Sequence, residues 1–98
     1  MDRSLAKRLI LEVGHQYGYE TSGTESDSVI YVYFDRSKHG IAFQIRNSTH
    51  ARATEEGWLQ IHHFEGEPEE WGPALHSLRT IGDVVAFCQT LITFDQIK

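Results

Sequence analysis

Apolar residues recur at helical spacing from the first turn of the chain. Leu5, Leu9, Ile10, Val13 and Tyr17 fall on one stripe, and Arg3, Lys7, Arg8 and Glu12 fall outside it. This predicts an amphipathic helix over 2–18 that ends near Tyr17. Gly14 weakens its last turn, and Gly18 is placed to stop it. The polar segment 19–28 has the chemistry of a loop, with room for a strand at its start. Three runs rich in β-branched and aromatic residues follow, SVIYVYFD (28–35), GIAFQIRN (40–47) and GWLQIHHF (57–64), and they read as antiparallel strands. The next segment, EGEPEEWG (65–72), reads as an acidic loop, and PALHSL (73–78) as a short helical turn opened by Pro73. Thr80 and Asp83 have the spacing of a capping pair. Beyond them Ile81, Val84, Val85, Cys88, Leu91 and Ile92 recur as one apolar stripe, with a short tail after Phe94.

The expected fold is α+β, a two-layer sandwich in the order α-β-β-β-α over one domain, 1–98. A three-stranded antiparallel sheet carries the N- and C-terminal helices on one face. Strand alternation then sorts the side chains. Ile30, Val32 and Phe34 should face the helices, with Ile41, Phe43, Ile45, Leu59, Ile61 and His63 alongside them. The opposite face collects Tyr31, Tyr33, Gln44, Arg46, Trp58, Gln60, His62 and Phe64. Rings interleaved with polar and cationic groups on an uncovered sheet are the residue types that concentrate binding energy at interfaces. The same rings also serve as cross-strand pairs that stabilise a half-exposed sheet.

Composition narrows the classes. The 98 residues suffice for one core, and 40% hydrophobic with 23% charged residues is ordinary for a globular chain. No apolar run is long enough to cross a membrane, so a soluble cytoplasmic protein is expected. A net charge of −5 disfavours nucleic acid as a partner. Acids concentrate late in the chain: Glu55, Glu56, Glu65, Glu67, Glu69 and Glu70 occur between Ala53 and Leu78 without a Lys or Arg among them. The acidic loop bearing Glu67, Glu69, Glu70 and Trp71 is a second expected contact surface for a basic groove on a partner.

Chemistry is sparse. The six histidines have no metal-ligand spacing: His62 and His63 should point to opposite faces, and His15, His39 and His50 fall at a helix end, a turn and a loop. The one cysteine, Cys88, lies on the last helix's apolar stripe and reads as a small buried hydrophobe. His50 or His62 beside Glu55 or Glu56 makes no specific acid-base signature, and the eight glycines form no phosphate loop. No catalytic residue, metal or cofactor is expected.

The helix-strand-strand-strand-helix order resembles that of the double-stranded-RNA-binding domain and of HicA-type RNA-cleaving toxins. Those toxins carry a Gly-Ser-His element entering the first strand, with the His catalytic. The corresponding stretch here, Thr24-Glu25-Ser26-Asp27-Ser28, has no His, so the resemblance implies the scaffold without the cleavage. RNA-binding domains of this layout place a Lys cluster where this chain has Thr80-Ile81-Gly82-Asp83, with Arg79 nearby. A second likeness is to short phage and prophage proteins in which a Ser-x-Ser-x-Tyr strand leads to an Ile-Arg-x-Ser-x-His strand end. It rests on Ser26-Asp27-Ser28-Val29-Ile30-Tyr31, shifted by a residue, and on Ile45-Arg46-Asn47-Ser48-Thr49-His50. That resemblance implies an inhibitor of a host complex, of the kind that includes anti-CRISPR proteins, with Ser48 and His50 holding a loop.

The functional expectation is a noncatalytic protein-interaction module, an inhibitor or adaptor whose partner is a host protein or complex. A homodimer through the open sheet face is compatible with it. The competing expectation is a nucleic-acid-binding or RNA-acting protein that uses Arg36, Lys38, Arg46 and Arg52 as its positive patch.

Overall fold

In a computed structural model of the chain, residues 1–33, 42–49, 55–64 and 71–97 are described. The elements are α1 (Arg3–Gln16), β1 (Glu20–Ser22), β2 (Val29–Tyr33), β3 (Ala42–Asn47), β4 (Leu59–Phe64), β5 (Trp71–Leu78) and α2 (Ile81–Ile97). The class is α+β, with five antiparallel strands in the order β1-β2-β3-β4-β5 instead of three.

The strand at the start of the 19–28 loop is present as β1, which pairs Glu20 with Tyr33 and Ser22 with Tyr31. The other added strand corrects the reading of 71–78. Trp71 opens β5 and pairs with Phe64, so it is not a loop residue, and Pro73 begins no helical turn. A proline is tolerated there because β5 is the outermost strand, where a missing N–H need not break a ladder. The register shifts twice along this pair, between Ile61 and His62 and between His62 and Phe64, which absorbs extra β5 residues as bulges.

One core lies on one side of the sheet. Ile30, Val32, Phe43, Ile45, Leu59, Ile61 and Leu78 pack there against Ala6 and Ile10 of α1 and Val84, Phe87, Cys88 and Leu91 of α2. Both helices therefore cover the same face. Phe43 and Phe87 meet edge to face with centroids 5.3 Å apart. Phe34 and Ile41 lie outside the described residues, and every expected inward residue whose side chain is described is buried.

The helices run side by side in the same direction. Arg3 reaches the Ser48 carbonyl at the end of β3, α2 starts past Leu78 at that same end, and the Tyr19 hydroxyl donates to the Leu91 carbonyl at the other. The Asp2 side chain caps α1 by accepting from the Leu5 amide at 3.1 Å. Thr80 and Asp83 form the expected capping pair: the Asp83 amide donates to the Thr80 hydroxyl and the Asp83 carboxylate accepts from the Thr80 amide, both at 3.2 Å. α2 continues through Ile97, where a tail was expected after Phe94.

α1 is rotated relative to the expected stripe. Leu5 is 43% exposed, while Lys7, expected in solvent, is 3% exposed. The face turned to the core is Ala6, Ile10 and Gly14, small enough for a close approach to the sheet. A Cβ on Gly14 would lie 3.1 Å from the Thr21 methyl.

Candidate functional site

The face opposite the helices is set by the pleat, since residues two apart on a strand share a side. The register arranges its side chains in rows. Ser22, Tyr31, Gln44 and His62 form one row; Val29, Arg46, Gln60 and Ser77 form the next. Glu20 and Tyr33 begin a third row at the far end. No described helix lies over these rows. Arg46 is exposed, whereas Tyr31, Tyr33, Gln44, Gln60 and His62 are half-buried.

Tyr31 and Tyr33 stack on one another with centroids 6.2 Å apart and planes 16° from parallel. The Gln44 amide donates to the Tyr31 hydroxyl at 3.5 Å. Burial, then the neighbouring Tyr31 and Glu20, pushes the Tyr33 phenol above its usual value.

At the other end of the face stands Trp58. Leu59 and Leu78 are paired, so Trp58 and Arg79 come one residue beyond them on adjacent chains. The Arg79 guanidinium lies over the indole, 4.2 Å from the ring centroid. The local sequence favours this pairing at the α2 terminus. The Asp83 carboxylate accepts from the amides of Arg79 and Thr80, which hold its pKa below the usual carboxylate value and fix the backbone from which Arg79 projects.

Beneath that end lies a polar knot. The buried Lys7 amine donates to the Asp27 carbonyl and to Asn47 Oδ1, the latter at 3.2 Å. Arg3 donates to the Ser48 carbonyl at 3.1 Å, and the Ser48 amide donates to the Trp58 carbonyl, also at 3.1 Å. Burial first, and then the Arg3 charge, hold the Lys7 amine below its ordinary pKa against an opposing pull from Asp27. The knot ties α1 to the strand ends and places the Trp58 backbone. Ser48 is buried in it, and His50 lies outside the described residues.

The structure thus brings Tyr31, Tyr33, Gln44, Arg46 and His62 onto one face, with Trp58 at its end. Glu67, Glu69 and Glu70 lie outside the described residues, as do Arg36, Lys38, Arg52 and His39, while Trp71 enters β5. Arg79 is not among the expected contact residues; the sequence marks it only as a basic residue beside the α2 cap. Cys88 is buried, which pushes its thiol pKa up. His15 is exposed, with its Nε2 3.1 Å from the Thr21 hydroxyl. Among the described residues no three His, Cys, Asp or Glu side chains gather as a cation site, and no helix is long and apolar enough to cross a membrane. A shallow groove of about 490 Å³ lies on the helical side, between α1 and the turn after β1, where Arg8 and Glu25 approach to 3.7 Å. No family model, curated protein or solved structure matches the chain.

Proposed function

We propose that the chain is a noncatalytic protein-interaction module that binds a protein or protein complex through the open face of its sheet. The observation that carries this reading is a continuous face of stacked tyrosines, amides and two arginines, one of them laid on Trp58, with no described helix over it. Tyr, Trp and Arg are the side chains that most often dominate interface energetics, because each offers large contact area together with a polar edge. The module acts by occupying its partner, as an inhibitor or adaptor. The phage-protein resemblance of 26–31 and 45–50 makes a host complex the partner to try first. In the test, tagged wild type captures the partner under native conditions, beside a Tyr33→Ala/Arg46→Ala variant and a helix-face control, Val85→Ser. The partner should be lost with the sheet variant and kept with the control. Equal capture by both variants would refute the reading.

A further inference from the structure

We propose that the open face closes on a second copy of the same chain, in a weak twofold dimer centred on Tyr31 in which Glu20 of each copy pairs with Arg46 of the other; this rests on the reading of that face as an interaction surface. Its three rows carry two charged side chains, Glu20 and Arg46, and both are exposed. Neither enters an ion pair among the described residues. The register fixes how they are related. Glu20 of β1 is level with Tyr33, Arg46 of β3 is level with Val29, and Tyr31 lies on the strand between them, two residues from each of those partners. Tyr31 is therefore the midpoint of the line from Glu20 to Arg46.

With about 4.8 Å between strands and 3.4 Å per residue, that line is roughly 17 Å long, too far for the two side chains to meet within one copy. A twofold axis running between two stacked sheets, through Tyr31 and perpendicular to the line, exchanges its ends. Each Glu20 then lies opposite an Arg46, and Tyr31 lies opposite itself. Stacked sheets are about 10 Å apart, a gap that a Glu and an extended Arg close from opposite sides.

Charge selects the occupant. One acid and one base, with His neutral, leave the rows uncharged although the chain carries −5, and Glu55, Glu56, Arg79 and Asp83 stand beyond the end of the rows. Repulsion between charges elsewhere on two copies is screened beyond about 8 Å at physiological salt. A nucleic acid would find one arginine on the rows and be repelled by Glu20, whereas a second copy answers both charges at once. Size sets the strength. Five strands span about 19 Å and six residues of β3 or β4 about 20 Å, so the strand-borne face measures roughly 400 Å². Doubled over two copies, that stays below the roughly 1,200–2,000 Å² of a stable interface, so the dimer is dissociable and yields the face to a tighter partner.

Sedimentation equilibrium from about 10 μM to 1 mM, with a melting curve for every variant, tests this by charge reversal. Wild type should show a monomer–dimer equilibrium. Glu20→Arg and Arg46→Glu should each weaken it by about tenfold or more, because each sets like charges opposite one another twice. Glu20→Arg also makes the chain less acidic, so net repulsion alone would tighten association and give the opposite sign. The double variant Glu20→Arg/Arg46→Glu keeps the net charge of wild type and should recover the dimer. An equimolar mixture of the two single variants should form a heterodimer tighter than either homodimer, since both pairs are restored in it. A wild type that stays monomeric throughout, a dimer indifferent to the single reversals, or a double variant no tighter than the singles would overturn the proposal. Partner capture that depends on Tyr33 and Arg46 in a chain that stays monomeric would sink this inference while leaving the open-face reading intact; a dimer that follows the reversals, beside equal capture by the sheet and helix variants, would do the reverse.

Discussion

Adjacent residues of β3 offer the sharpest test of strand parity. Ile45 is 0% exposed, paired with Ile30 and Ile61 beneath the helices, and the next residue, Arg46, is exposed on the other face. Ile45→Ala removes buried methyl and methylene groups from a site walled by fully buried neighbours, so the cavity has little room to collapse; the expected cost is about 2–5 kcal/mol. Arg46→Ala touches none of that packing and should stay within about 0.5 kcal/mol. A chain of this size has a total stability of about 5–15 kcal/mol, so the first change consumes a large share of it. At about 4–8 °C per kcal/mol, Ile45→Ala should lower Tm by roughly 8–40 °C and Arg46→Ala by no more than about 4 °C. Calorimetry and urea unfolding of both variants give the comparison. If Arg46→Ala were as costly as Ile45→Ala, the assignment of the two faces would be wrong, and the binding proposals would fall with it.

The remaining predictions concern backbone, thiol and pH. Gly57 has φ of +74° and a Cβ there would overlap the Met1 carbonyl oxygen, so Gly57→Ala should destabilise by more than the roughly 1–2 kcal/mol of the left-handed backbone alone; an unchanged Tm would refute this. Buried Cys88 should react with a disulfide reagent at least about a hundredfold more slowly in the native protein than in the unfolded chain, since access requires opening of the core; equal rates would place it at the surface. The folded pKa of Lys7 is lowered from 10.5, so the unfolded chain binds more protons between the folded value and 10.5, and stability should rise with pH across that window. The free energy of urea unfolding of wild type relative to Lys7→Met should therefore climb with pH there, and a flat difference would contradict the assignment. Tyr33 acts oppositely: its folded pKa is raised above 10.0, so its contribution is present below that value and is lost as pH rises through the folded one. In unfolding titrations Tyr33→Phe should remove that alkaline loss, and an unchanged slope would argue against a half-buried phenol.

What the linear chain determined is the part whose physics is local. Alternation in 28–35, 40–47 and 57–64 assigned Ile30, Val32, Phe43, Ile45, Leu59 and Ile61 to the core, because a strand's period of two leaves no freedom once one face is buried. The Thr80 and Asp83 cap was legible because its hydrogen bonds span only three residues. The tertiary structure decided the rest. β5 was hidden behind Gly72 and Pro73, whose turn-forming character is overridden when β4 offers a partner and the outer edge asks nothing of the missing N–H. Lys7 reads as a solvent residue until Asp27 and Asn47, 20 and 40 positions away, supply the acceptors that let its amine be buried. The same holds for Leu5, displaced outward because Ala6 and Gly14 let α1 come closer to the sheet than a leucine stripe would. Arg79 reached Trp58 only through the β4–β5 register. Contacts between distant segments form where the folded chain offers a geometric partner, and no spacing along the sequence encodes that meeting.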